Sequence, residues 1–168
     1  MGRHAVDSNQ VFFDALPVPE ADRIGEEGKG FEYILHGMNP ERILIAAELV
    51  GLGRCAVARA ARYAKERVVF GRPIGQNQGV QFPIAKAYAA MRAAELVVED
   101  AARRYEAGLD CGPEANMAKM LAADAAWEAG NVCVQTHGGF GFAEEYDVER
   151  KFRETRLYQV APISTQLI

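Results

Sequence analysis

From Phe31 onward, apolar positions recur at steps of three, four and seven, the spacing that puts side chains on one face of a helix. Phe31 to Met38 predicts a short helix. Asn39 is a natural N-cap and Pro40 suits a first helical position, so a long helix is expected from about Pro40 to Phe70. Its stripe is Val50, Val57, Ala61, Ala64 and Val68, and Gly71-Arg72-Pro73 ends it. A second helix is expected over roughly Val80 to Ala107, with Tyr88, Met91, Val98, Ala102 and Tyr105 on one face and Pro83 in its opening turns. A third begins at Pro113, includes Met117, Met120, Trp127 and Val134, and stops at Gly138-Gly139-Phe140-Gly141. A fourth runs from about Glu144 to Arg156, and Ile163 to Leu167 starts another. Upstream the pattern changes. Asn9 to Ala15 reads as a short strand, broken by Pro17-Val18-Pro19 and followed by a turn cluster from Gly25 to Gly30. The expected fold class is mainly α: an antiparallel four-helix bundle of three long alanine-rich helices and one shorter, behind a short N-terminal β segment.

Composition acts mainly by exclusion. The 168 residues can bury one core and hardly two. A net charge of -4 with scattered basic residues argues against nucleic acid or an anionic membrane as partner. No apolar run approaches the length of a membrane span, and Met1 to Ala5 holds nothing like a secretion signal. Cys55, Cys111 and Cys133 are odd in number and lack CxxC spacing, which suits reduced, buried thiols in a cytoplasmic protein. His4, His36 and His137 have no metal-ligand spacing.

Two strings hold candidate chemistry. In Arg67-Val68-Val69-Phe70-Gly71-Arg72-Pro73-Ile74, followed by Gln78, a cation, an aromatic ring and an amide fall together. Such a set could clamp a diphosphate and its attached rings. It could equally be a helix C-terminus whose arginine complements the dipole. In Gln135-Thr136-His137-Gly138-Gly139-Phe140-Gly141-Phe142, the glycines would let a diphosphate or another backbone approach. They would also serve as an ordinary helix stop. This is not the dinucleotide fingerprint, because a helix precedes it and no strand does.

The two strings, with Glu41-Arg42 before them and Val148-Glu149-Arg150 to Arg153-Glu154 and Arg156 after, resemble the acyl-CoA dehydrogenase family in order and spacing. The resemblance covers that family's C-terminal helical domain, residues 31–168, and makes residues 1–30 a remnant of its middle β domain. It implies FAD shared between subunits of a homodimer or homotetramer. Arg67 would bind the FAD pyrophosphate of a neighbouring subunit, and Phe70 and Gln78 would line the adenosine end. Gln135, Gly138 and Gly139 would approach the pyrophosphate from another chain, and Ser164 and Gln166 would also touch FAD. Arg42 would lie near the acyl-CoA substrate, and electron-transferring flavoprotein would take up the electrons.

The family reaction removes an α-proton from an acyl-CoA thioester as a hydride leaves the β-carbon. It needs a carboxylate base in a dry pocket and donors to the thioester oxygen. Many relatives keep that base as a glutamate near the C-terminus, where this chain has Pro162. Others place a glutamate immediately before an arginine on the long helix, as Glu41-Arg42 does, which implies Glu41 as the base. Glu41 would also serve simply as an acid in a helix's first turn, favoured by the dipole. Pro162 has no N–H, so one expected donor to the thioester is missing. An alternative reading from another class is a non-catalytic helical module for oligomerisation and FAD sharing.

Overall fold

The computed structural model describes residues 2, 3, 5 and 7–168, so His4 lies outside the described residues. Four helices dominate: α1, Gly30–Glu66; α2, Gln78–Glu106; α3, Gly112–His137; and α4, Val148–Leu157. Two residue pairs, β1 (Val68–Val69) and β2 (Arg72–Pro73), form an antiparallel hairpin between α1 and α2. Short connections reverse the chain twice. Ala64 and Lys65 of α1 line one groove with Val80 and Gln81 of α2, while Gly53, farther back on α1, packs on Met91, farther along α2, so these helices are antiparallel. Arg104 of α2 pairs with Glu114 at the start of α3. Asn39 lies beside Gly112 and Tyr63 stacks on His137, so α1 and α3 run in the same direction.

Helix α3 is the centre. Ala118, Ala122, Ala123, Ala126 and Ala129 are fully buried, and they point to several sides of the helix. Alanine and glycine let neighbouring backbones approach closely, which multiplies weak dispersion contacts. Leu49 of α1 and Met91 of α2 fill the wider gaps. Trp127 packs on Phe152 of α4 with ring centroids 4.6 Å apart. Gly130 lies against Thr155, where a methyl group would fall 2.9 Å from its hydroxyl.

The bundle matches the expected architecture, with shifts that have local causes. The short helix and the long helix are one element that passes through Pro40. Asn39 does not cap a new helix; its Oδ1 accepts a bond from Arg42 at 3.2 Å. Helix α1 ends at Glu66, earlier than expected, because the hairpin takes over. Phe70 and Gly71 both have positive φ, the two-residue turn that matches strand twist. Helix α4 starts at Val148 because Asp147 adopts a left-handed conformation, φ 56°. Ile163 to Leu167 is turn, not helix. The N-terminal β segment is corrected: Asn9 to Ala15 forms no strand and is exposed, and the sheet present is the hairpin between α1 and α2. Among the described residues the strands pair only with each other in that hairpin, and an unpaired strand is unstable.

Gly53→Ala should destabilise the protein by about 1–3 kcal/mol, because its methyl would meet the Met91 sulfur at 2.3 Å. In urea denaturation, the double variant with Met91→Ala should lose less than the sum of the two single losses.

Candidate functional site

Both α1 and α3 end at one open cavity of about 440 Å³. Tyr63, Arg67, Gln135, Gly138, Gly139 and Phe140 are among its lining residues. Arg67 follows the last helical residue of α1, and its guanidinium lies 5.6 Å from the centre of the Phe140 ring. It makes no ion pair among the described residues, whereas Arg59, Arg150 and Arg153 all pair with carboxylates. Gly138 ends α3 at φ 59°, a conformation that glycine adopts freely. A Cβ at Gly138 or Gly139 would meet nothing within 4 Å, so this turn faces open space. Gln135 also lines an adjoining cavity of about 330 Å³ with Gly79, Val80 and Pro83 from the start of α2. An exposed, unpaired guanidinium beside an uncluttered glycine turn suits a diphosphate ligand.

His137 forms the inner wall of this cavity. Its ring stacks on Tyr63 at 4.1 Å, and its Nδ1 lies 2.8 Å from the Cys133 carbonyl. A carbonyl only accepts, so Nδ1 bears the proton in that bond. Burial lowers the pKa of His137 below its ordinary 6.5, against the carbonyl bond, and the charges of Arg59 and Arg62 lower it further. Burial pushes the Cys133 thiol up to about 11, so it is a core group and not a nucleophile.

A second cavity of about 370 Å³ lies between α1 and the segment after α4. Ile45, Leu157, Tyr158, Ala161 and Pro162 line it, with Arg3 at its edge. Glu41 is not among its lining residues; it is exposed on α1, one helical turn before Ile45. Arg42 is half-buried, and its Nε is buried without a hydrogen-bond partner. Glu48, farther along α1, accepts a bond from the Tyr158 hydroxyl at 3.0 Å and pairs with Arg3.

The structure thus brings Arg67, Gln135, Gly138 and Gly139 together within one chain. Phe70 stands apart at the tip of the hairpin, fully exposed, and Gln78 opens α2 at the surface. Ser164 and Gln166 belong to the C-terminal turn, where the Gln166 N–H donates to the Ser164 hydroxyl. Among the described residues no group of His, Cys, Asp and Glu could hold a metal, and no helix is long and apolar enough to cross a membrane. Sequence reasoning missed Tyr63, Glu48, Tyr158 and Lys119. Only Lys119 left a trace: a lone lysine within Ala118-Lys119-Met120-Leu121-Ala122-Ala123, in a helix that is apolar on several sides.

The family described as "Acyl-CoA dehydrogenase, C-terminal domain" matches residues 28–162. An acyl-CoA dehydrogenase of Bacillus subtilis is 41% identical over 160 residues, 95% of this chain and 42% of that protein. Butyryl-CoA dehydrogenase from Megasphaera elsdenii superposes with a TM-score of 0.86 at 34% identity, over 89% of this chain and 39% of that one. A chain from a structure described as the electron transferring flavoprotein of Acidaminococcus fermentans superposes with a TM-score of 0.89 at 34% identity, over 92% of this chain and 41% of that one. The chain therefore spans less than half the length of these relatives.

A histidine whose pKa is depressed by folding is neutral in the folded protein and binds a proton more readily once unfolded. Its stabilising contribution is therefore complete above 6.5 and is lost as pH falls from there toward the folded value. Melting temperature measured against pH should show this loss, and His137→Gln should flatten it. Asp147 and Glu149, whose pKa values are lowered by bonds from Arg150 and Arg153, contribute a separate loss at lower pH, below their ordinary 3.8 and 4.5.

Proposed function

The chain belongs to the acyl-CoA dehydrogenase family, and from that premise we propose that it is the helical C-terminal portion of an FAD-dependent enzyme that desaturates an acyl-CoA thioester between its α- and β-carbons. The observation behind this reading is the convergence of unpaired Arg67 with the Gln135–Gly139 turn around one open cavity. The donor set fits the pyrophosphate of FAD: a free guanidinium, an amide side chain, and a glycine turn with no Cβ in the way. When bound, FAD supplies the acceptor for the hydride lost from the β-carbon. Phe70 and Gln78 hold the adenosine end, with the Phe70 ring projecting fully from the hairpin tip. Ser164 and Gln166 contribute a further contact from the C-terminal turn.

Glu41 is the proposed base, and Arg42 lies beside the bound substrate. The support is positional. Glu41 precedes Ile45 by one turn, and Ile45 shares a cavity with Pro162. Pro162 can neither take a proton nor donate an N–H. Glu41 is exposed on this chain, so surfaces packed over α1 must exclude water from it.

The whole enzyme acts as a homodimer or homotetramer. Phe70, Phe82 and Tyr88 are exposed, and Val57, Ala61, Val80 and Ile84 line an apolar groove of about 410 Å³ between α1 and α2. Such surfaces favour burial in an assembly. Electron-transferring flavoprotein is the proposed electron acceptor. Three free cysteines suit a cytoplasmic location.

The purified complete enzyme should show oxidised-flavin absorbance that bleaches when acyl-CoA is added, whereas residues 1–168 alone should turn over poorly or not at all. Protein without flavin, or with flavin that never bleaches, would favour a non-catalytic helical module. Arg67→Ala should weaken FAD binding by about 1.5–3 kcal/mol in a fluorescence titration. In the complete enzyme, Glu41→Gln should retain flavin and slow the reductive half-reaction by about 10²–10⁴-fold. A near-normal rate would sink the assignment of Glu41.

A further inference from the structure

Lys119 is among the largest fully buried side chains of the protein. It sits two turns into α3, and its ammonium group donates to two backbone carbonyls, Tyr158 at 2.7 Å and Ile163 at 2.5 Å. These carbonyls flank Ala161 and Pro162, which line the cavity shared with Ile45. The segment also folds back on itself, because the Thr165 N–H donates to the Gln159 carbonyl at 3.1 Å. The segment is tied to α3 again where the Gln159 side-chain amide donates to Asp124 at 3.0 Å. The Gln159, Val160 and Ala161 N–H groups donate back to the Arg156 and Leu157 carbonyls of α4, but the segment is not regular secondary structure and no ladder continues past Ala161. The ammonium replaces that ladder with two charge-assisted bonds.

The neighbouring charges fit a cation kept for its bonds. Asp124 is the favourable charge near Lys119 and Arg42 the unfavourable one. A lysine needed only to fill space would be replaced here by an apolar residue without burying a charge beside Arg42.

We propose that Lys119 is a positioning residue that fixes the Tyr158–Thr165 segment as one wall of the acyl-CoA cavity, by holding the carbonyls on either side of Pro162. The part that concerns acyl-CoA rests on the function proposed above; the part that concerns the segment does not. Lys119 acts through Ala161 and Pro162 and touches neither substrate nor FAD in this role.

Hydrogen exchange on Lys119→Met tests the clamp without any ligand. Amides at 158–165 should exchange about tenfold faster, while those of α2 and the buried face of α1 keep their protection. Lys119→Arg, which keeps the donors, should restore part of the difference. Unchanged exchange at 158–165 overturns the proposal, and so does a uniform rise across the three long helices, which would mark a purely structural lysine. If Lys119→Met does not fold, amine labelling of Lys119 decides. A chain ending at Pro162 lacks the Ile163 carbonyl and should label about tenfold faster at Lys119 than the unaltered chain. Equal labelling overturns the clamp. In the complete flavin-loaded enzyme, Lys119→Met should raise KM for acyl-CoA about tenfold with flavin content unchanged. Absence of flavin and turnover in the unaltered enzyme would refute the proposed activity, and the exchange result would still decide the clamp.

Discussion

Helix α3 touches three neighbours at once because most of its buried surface is alanine. Ala118, Ala122, Ala126 and Ala129 are fully buried, yet none reaches far. The helices must therefore approach closely or leave voids, and glycines at Gly53 and Gly130 mark where approach is tightest. An alanine seam is also weak in specifying register, since each side chain resembles the next. Larger and polar groups supply what the seam lacks. Met91 seats on Gly53, Trp127 on Phe152, and His137 on Tyr63. These contacts join α2 to α1, α3 to α4 and α3 to α1, so together they hold the helices against sliding. Both cavities inherit their geometry from this register, because each has one wall on α1 and another on an element that α3 positions.

Much of this was readable in advance, and the reason is periodicity. A helix announces itself over many turns, so the centres of all four were legible even where their ends were not. The ends depend on single residues. Pro40 looked like a helix start because proline suits that position, but a long helix tolerates the loss of one bond when both flanking stretches remain helical. Val68-Val69-Phe70-Gly71 looked like the end of a helix because its valine continues the stripe, yet β-branched residues before a glycine turn serve a hairpin equally well. The site followed the same division. Arg67 and the glycine turn were visible because they are local strings. Lys119, Tyr158 and Glu48 were not, because their meaning depends on contacts between residues 39 and 110 positions apart.

Phe70 illustrates how local strain and exposure combine. A bulky residue at φ 52° costs about 1–3 kcal/mol relative to an ordinary conformation. The turn accepts that cost and gains no burial, since the ring is fully exposed on this chain. Asparagine or aspartate would meet the turn's requirement more cheaply. An aromatic ring at that place is understandable if it packs against something outside the chain, which agrees with its proposed place at the adenosine end of FAD.

The direction of the helices adds a constraint on the diphosphate site. Parallel α1 and α3 both end at the cavity of Arg67, and a helix C-terminus presents carbonyls with about half a negative charge. Two such ends repel an anion. Antiparallel α2 starts at the same end of the bundle, and Gly79 and Val80 of its first turn share a cavity with Gln135, so one positive helix end opposes the two negative ones. The balance still lacks a cation, and Arg67 lines this cavity with no carboxylate neutralising it among the described residues. Arg59, though close, is already engaged by Asp147 and the Tyr146 carbonyl. Arg67 is therefore what would turn a pair of helix ends unsuited to phosphate into a site that accepts it. Lysine at that position would keep the charge but lose the planar fork that can engage two phosphate oxygens at once.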